Sequence, residues 1–400
     1  MNSESLAPEN RSKISAPDRI IDQIDLAKPK LAHAAPIESK LELAEKLFQK
    51  SIVASALKVA QGQRLDAPLV VDLDPTTFCD LACPECISSG VLNKGQFSAL
   101  RIERLAEELV EAGVKGVILI GGGEPLMHRS IGKIITTLSD GGVKVGMVTN
   151  GTLIDRHIEI LAERMSWIRV SMDAASPEIY DRFRPSGRKV SVFPKVIENI
   201  TNLAKVKKGR LGYSFLLMQR RDENNVIYET NYDQVLKAGQ LAKSIGCDYL
   251  EVKAVFDDGH FVIEEAAADI QKVQDQLDAL AKIEDESFRV LRSSTWTALK
   301  TGADREQPKN YNSCHIAELR ATITPSGVYS CAYHRGSEKG LIGDVTDTSL
   351  RSMWKDAVTR KLDPAKDCRF HCARHSSNLT IAKMSEGLKS EVRDDYDFFI

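Results

Sequence analysis

Apolar residues along this chain recur with two alternating periods. Short apolar runs at 69–73, 117–120, 143–148, 167–172, 211–218 and 249–255 have the length and side-chain content of strands. Amphipathic stretches lie between them, for example Ile102, Leu105, Leu109 and Val110 closed by Gly113. Six such repeats predict parallel strands joined by helical crossovers, an α/β fold. Upstream, Leu41, Leu43, Ala44, Leu47, Ile52 and Leu57 recur at helical spacing and predict a helix within 39–61. Residues 1–36 are rich in Pro, Ala, Ser and charge without periodicity, and are expected to be disordered. A long helical pattern covers 261–283, and a polar stretch, 304–312, separates it from a cysteine-rich end. The expected organisation is an extension (1–36), a helix (37–66), a core (67–300), a cysteine-rich module (301–385) and an acidic, aromatic tail (386–400).

Composition narrows the partners. A chain of 400 residues, 42% of them hydrophobic, can bury a large core and allow two domains. A net charge of −2 gives no nucleic-acid surface and suits a small or locally charged substrate. No apolar run approaches the ~20 residues needed to cross a bilayer, and Met1-Asn2-Ser3-Glu4-Ser5 does not open a signal peptide. We therefore expect a cytoplasmic protein without a membrane partner. The eight cysteines fall as three, one and four, a clustering that predicts metal binding in a reducing compartment rather than disulfides.

The first group is Cys79-Asp80-Leu81-Ala82-Cys83-Pro84-Glu85-Cys86, directly after an apolar run. Three thiolates on one loop suit a cubane iron–sulfur cluster with one iron left for a non-protein ligand. A zinc knuckle is the alternative, although zinc structural sites usually close with four ligands and no fourth lies nearby. Gly121-Gly122-Gly123-Glu124-Pro125 follows the second strand, where free backbone and a carboxylate suit a cationic amine. Together the two motifs resemble those of the radical S-adenosylmethionine (radical SAM) enzymes.

That resemblance implies a partial (β/α)6 barrel with reactive loops at the carboxyl ends of its strands, followed by a small α+β cysteine-rich module. It implies a [4Fe-4S] cluster held by Cys79, Cys83 and Cys86. The open iron would be chelated by the amino and carboxylate groups of S-adenosylmethionine (SAM), which is cleaved reductively to a 5′-deoxyadenosyl radical. A reductant such as flavodoxin or ferredoxin is implied with it. Gly122, Gly123 and Glu124 would hold the methionyl amine. Ser171 and Asp173 would reach the ribose or carboxylate, and Arg184 would pair with the carboxylate, unless it is an ordinary surface arginine. Asn150, before Gly151, is also ordinary turn chemistry. Where the family often has an aromatic residue over the adenine, this chain has Glu85, so Phe78 becomes the candidate cover.

Cys314, Cys331, Cys368 and Cys372, with a hairpin turn at Gly327, resemble the auxiliary-cluster modules called SPASM and twitch, and imply a second [4Fe-4S] cluster. Structural zinc is the alternative, because four thiolates satisfy it. His315, His334, His371 and His375 flank these cysteines and are candidates to tune the centre. Catalytic candidates are Lys253, Asp257 and His260 after the sixth strand and the lone Cys247; Asp258 beside them, and Gln219, Arg220 and Arg221 after the fifth strand, are candidate substrate contacts or a solvated loop. Cys247 precedes a strand, at the end of the barrel away from the cluster, and free cysteine is commonly a small buried hydrophobe. The resemblance points first to hydrogen abstraction from a carbohydrate-like small molecule, a sugar or aminocyclitol, with dehydrogenation or epimerisation as outcome. A peptide-modifying enzyme is the second reading, and a non-catalytic metal scaffold the third.

Overall fold

The computed structural model describes residues 43–224, 226–255, 266–302, 307–384 and 399. The 1–36 extension, Asp257, Asp258 and His260 lie outside the described residues, as does nearly all of the tail. Each predicted apolar run forms a strand: β1 (Val70–Leu73), β2 (Gly116–Leu119), β3 (Lys144–Thr149), β4 (Trp167–Ser171), β5 (Arg210–Leu217) and, after the short hairpin β6 (Gln219–Arg221) and β7 (Ile227–Thr230), β8 (Tyr249–Ala254). β1 and β2 are buried along their whole length, as central parallel strands covered on both faces should be.

The crossover helices follow from amphipathic spacing. α2 (Ala99–Glu111) starts at Ser98, whose side chain accepts from the Arg101 N–H at 3.2 Å, and buries Ile102, Leu105, Ala106 and Leu109. It ends just before Gly113, which sits at φ +77°. α3 (Ile131–Asp140) buries Ile131, Ile134, Ile135 and Leu138 in the same way. α4 (Ile158–Arg164), α5 (Pro177–Phe183), α6 (Phe193–Val206) and α7 (Val235–Ser244) complete the layer. α1 (Lys50–Ala60) occupies the later part of the helix predicted within 39–61, and α8 (Ala267–Ala281) is the described part of the 261–283 pattern.

The sheet is larger than the six predicted strands. β9 (Arg289–Arg292) adds to β8, and β10 (Arg320–Thr324) pairs in parallel with β1, Val70 opposite Arg320. The strand order is β12-β11-β10-β1-β2-β3-β4-β5-β8-β9, with β11 (Gly327–Tyr329) and β12 (Leu341–Gly343) antiparallel at one end. The sheet thus has two edges and forms a partial barrel. The cysteine-rich end continues this sheet across residue 301. Its hairpin turns at Gly327, with φ +139° and Thr324 opposite, as the turn residues predict.

Alternation decides which side chains face the lumen. Ile168, Val170, Leu250, Val252 and Ala254 pack under the helices, so Trp167, Arg169, Ser171, Tyr249, Glu251 and Lys253 point the other way. Trp167 lies where a Cβ on Gly146 would be, 2.3 Å from its ring, and Tyr249 lies likewise over Gly212 at 2.1 Å. Phe399 of the tail closes the amino-terminal end edge-on to Trp167, ring centroids 5.4 Å apart. The described part of the tail therefore docks at the end of the barrel opposite the cysteine loop.

Candidate functional site

Residues at the carboxyl ends of β1 to β4 form one bonded network. The segment before Cys79 and the glycine loop run side by side: Gly123 N–H donates to Thr76 O at 3.2 Å and Glu124 N–H to Phe78 O at 2.8 Å. A Cβ on Gly123 would sit 2.1 Å from Phe78 O, so only glycine permits this approach. Asn93, at φ +56°, accepts from Cys79 N–H at 3.2 Å and folds the cysteine loop back on itself.

Glu124 is buried at 2% exposure. Its Oε1 accepts from Leu126 N–H (3.1 Å) and Thr149 Oγ1 (2.8 Å), and its Oε2 from Asn150 N–H (2.7 Å). Burial pushes its carboxyl up to about 7, against those hydrogen bonds. A carboxylate has about four acceptor positions, so Oε2 keeps room for one further donor. Asn150 carries more than turn chemistry: its Nδ2 donates to Asp80 Oδ1 at 2.8 Å, and Thr152 Oγ1 to Asp80 Oδ2 at 2.7 Å. Asp80, inside the cysteine motif, thereby fixes the loop to the end of β3.

Asp173 follows β4 in a left-handed conformation, φ +56°. Its Oδ2 accepts from Arg184 Nε at 2.7 Å and its Oδ1 from Leu216 N–H at 2.7 Å. Arg184 is therefore no solvated surface arginine; burial opposes its charge, but Asp173 and the nearby Cys83 hold it protonated. Ala82 N–H donates to Pro185 O at 2.7 Å, which places the cysteine loop against this arginine. Ser171 faces the lumen at the end of β4, opposite Ser214 and two residues before Asp173. Phe78 is 37% exposed at the loop. Glu85 is engaged by Arg220 Nε and Nη2, while Arg220 Nη1 donates to Glu229 at 2.8 Å and its guanidinium lies 4.6 Å from the Phe183 ring centre. Arg220 is committed to this latch, which corrects its expected role as a free substrate contact.

All eight cysteines are free thiols. Burial raises Cys79 to about 11 and also raises Cys83, with Arg184 opposing at Cys83. Among the described residues no three potential ligands close on a single metal ion. The donor chemistry fits a cluster, in which each thiolate takes its own iron and bound iron supplies the positive charge these buried thiols lack.

The second group surrounds the sheet's far end. Cys314 precedes α9 (Ile316–Leu319), Cys331 follows β11, Cys368 ends α10 (Pro364–Asp367) and Cys372 precedes α11 (His375–Met384). Burial and neighbouring thiolate charge raise Cys314, Cys331 and Cys368, Cys331 to about 12. Asn378 Nδ2 approaches Cys314 Sγ at 3.6 Å and His334 Nε2 approaches Cys368 Sγ at 3.4 Å. His375 stacks on Tyr311 and bonds its hydroxyl at 3.0 Å, and His371 bonds Ser294, so these two are occupied away from sulfur. Cys247 is buried at 3% beside Asp248, ahead of β8, at the end of the barrel away from the loop. Lys253 faces the lumen and pairs with Glu251 at 3.3 Å.

Sequence reasoning missed Asp74, Asp80, Ser88 and Arg335. Arg335 donates to Asp74 Oδ2 at 3.0 Å and to Ser88 Oγ, joining the cysteine-rich module to β1 and the cysteine loop. Asp80 alone carried a signal, its place between Cys79 and Cys83.

Comparison with known proteins bears on this geometry. Residues 73–226 match the radical SAM superfamily model. An AdoMet-dependent heme synthase of Methanosarcina barkeri is 23% identical over 77% of this chain and 88% of its own. The mycofactocin maturase MftC of Mycobacterium tuberculosis is 25% identical over 73% of this chain and 72% of its own. Among solved structures, Streptococcus suis SuiB bound to precursor peptide SuiA superposes with a TM-score of 0.57 at 17% identity, covering 80% of this chain and 74% of that one. AdoMet-bound anSMEcpe gives 0.54 at 16% identity, covering 80% and 96%. Fold and motifs define an iron–sulfur enzyme that uses SAM. Residues 73–226 form a radical SAM domain, and the four cysteines of the C-terminal module lie beyond that match. Among the described residues no helix is long and apolar enough to cross a membrane.

Proposed function

We propose that this radical SAM enzyme modifies a peptide, in place of the sugar or aminocyclitol expected from sequence. The observation that carries the reading is the likeness to a mycofactocin maturase over about three quarters of both chains. No relative named above supports a carbohydrate substrate.

In this reading Cys79, Cys83 and Cys86 hold the [4Fe-4S] cluster, and Cys314, Cys331, Cys368 and Cys372 hold an auxiliary one. When bound, SAM and the cluster would supply the radical chemistry for hydrogen abstraction. Gly122 and Gly123 present backbone to the SAM amine, and Glu124 adds its remaining acceptor position. Asp173, with both oxygens engaged, serves to position Arg184, which would pair with the SAM carboxylate. Ser171 would serve the ribose. The domain limits at 37, 67, 301 and 386 keep their sequence-based values. A cytosolic flavodoxin or ferredoxin is the proposed electron donor.

The test incubates anaerobically reconstituted enzyme with SAM, a reductant and short peptides encoded beside its gene, then measures peptide mass and 5′-deoxyadenosine. A mass change in one peptide with matching deoxyadenosine supports the reading. Turnover of a sugar or a heme precursor, with no peptide changed, would overturn it.

A further inference from the structure

The lumen below the cysteine loop holds a charge arrangement that none of the roles above uses. Arg169 on β4 reaches across Gly212 on β5 and bonds Glu251 on β8, Nη1 to Oε2, at 2.8 Å. Gly212, opposite Arg169 on the neighbouring strand, leaves its side-chain space to the Tyr249 ring, 2.1 Å from where a Cβ would sit. Lys253, two residues along β8, pairs with the same Glu251 oxygen at 3.3 Å. One carboxylate is therefore shared by two cations. The neighbouring Asp173 is neutralised by Arg184, so these five side chains together carry one positive charge in excess.

Two further observations point to a ligand. Arg169 Nε is buried and has no hydrogen-bond partner, a cost that buried donors seldom bear without function. Arg169 and Lys253 side chains nevertheless keep 24% and 25% exposure although both face the barrel interior, so the lumen is open to them. Trp167 lies 5.8 Å below the guanidinium and floors the space. A guanidinium with free fork positions and an ammonium beside it match the oxygens of an anion. The single excess charge of this group is balanced by a monoanion, whereas a phosphate dianion would leave the group negative.

We propose that Arg169 and Lys253 form a carboxylate-binding subsite in the lumen, and that the substrate group placed beneath the cluster carries a carboxylate. The proposal rests on the lumen being the substrate chamber of this radical SAM enzyme. For a peptide substrate it specifies an Asp, Glu or C-terminal carboxylate.

The test uses cluster-loaded enzyme saturated with SAM and the small probe propionate, followed by saturation-transfer NMR. Propionamide is the uncharged control and inorganic phosphate the competitor. Propionate is expected to bind saturably, with propionamide silent and phosphate the weaker ligand. Arg169→Gln and Lys253→Met should each weaken propionate binding about tenfold or more, the effect of removing one charged hydrogen bond. Because Arg169→Gln also strips Glu251 of a partner, Lys253→Met, which leaves the Arg169–Glu251 pair in place, is decisive. Unchanged propionate binding in Lys253→Met, equal binding of propionamide, or tighter binding of phosphate would each overturn the subsite. Deoxyadenosine formation by the unmodified enzyme is read separately. Its absence would count against the radical reading and leave the propionate result intact.

Discussion

Arg335, in the cysteine-rich module, forms an ion pair with Asp74 at the exit of β1, 3.0 Å apart across 261 residues of sequence. The same guanidinium donates to Ser88 behind the third cysteine, and Asp74 accepts from the backbone of Gly122. One side chain thus ties the auxiliary module to both the cysteine loop and the glycine loop. Asp74 is buried at 1% exposure, and burial raises its carboxyl to about 7, with Arg335 opposing. Arg335→Ala leaves that carboxylate without its partner, at a cost of about 3 kcal/mol. Protonation of Asp74 limits the loss at low pH, so the drop in unfolding free energy should be larger at pH 8 than at pH 6. Adding Asp74→Asn should recover part of it, and equal losses with and without Asp74→Asn would show that the pair is not the link.

Glu124 and Asp74 give the protein without cluster or SAM a pH signature. Both folded values stand near 7, against ordinary values of 4.5 and 3.8. The folded chain then binds protons more tightly than the unfolded one. The stability they contribute is complete below about pH 4 and is lost as pH rises through about 7. The melting temperature should fall between pH 5 and pH 8, and Glu124→Gln should flatten part of that fall. A rising melting temperature over this range would contradict it.

Arg220 joins three elements: Glu85 of the cysteine loop, Glu229 on β7 and the Phe183 ring at the end of α5. Arg220→Met removes the arginine on Glu85 and one of the two on Glu229, which keeps Arg182, and should cost about 1–3 kcal/mol. Hydrogen exchange should quicken in β6, β7 and the loop from Cys79 to Cys86 together. Faster exchange confined to the hairpin would mean that the latch does not hold the loop.

Gly212 faces a different constraint. Its added Cβ would lie 2.1 Å from the Tyr249 ring. Gly212→Ala should destabilise by about 1–3 kcal/mol through overpacking, with the unfolding midpoint in denaturant as the readout. Gly62 has nothing within 4 Å of its would-be Cβ, but its φ of +81° makes it a poor control. Gly90, equally open and without a positive φ, should accept alanine at little cost.

Periodicity revealed the fold where one residue class dominated. The six strands stand close to the apolar runs because buried parallel strands need unbroken hydrophobic faces. β9 and the β6–β7 hairpin were missed because Arg289, Arg292, Gln219, Arg220 and Arg221 hide the strand signal under charge. β10 was missed as a barrel neighbour of β1 because a parallel pairing across some 250 residues leaves no local mark. At the site, spacing put three cysteines on one loop and a Gly-Gly-Glu stretch after the second strand, while the roles expected of Ser171, Asp173 and Arg184 came from the family resemblance. The supports of these residues were not legible: Asp80 with Asn150, Asp74 with Arg335 and Arg169 with Glu251 become partners only when the sheet closes. Glu85 looked like a lost aromatic cover and is instead the carboxylate that anchors Arg220.

The most direct measurement is iron content and 5′-deoxyadenosine formation after anaerobic reconstitution with iron and sulfide, using dithionite and SAM. The account predicts about eight irons per chain, deoxyadenosine formation, and loss of that product in Cys83→Ala. About four irons with product would reassign Cys314, Cys331, Cys368 and Cys372 to zinc. Bound metal without deoxyadenosine under any reductant would contradict the account and favour a non-catalytic metal scaffold.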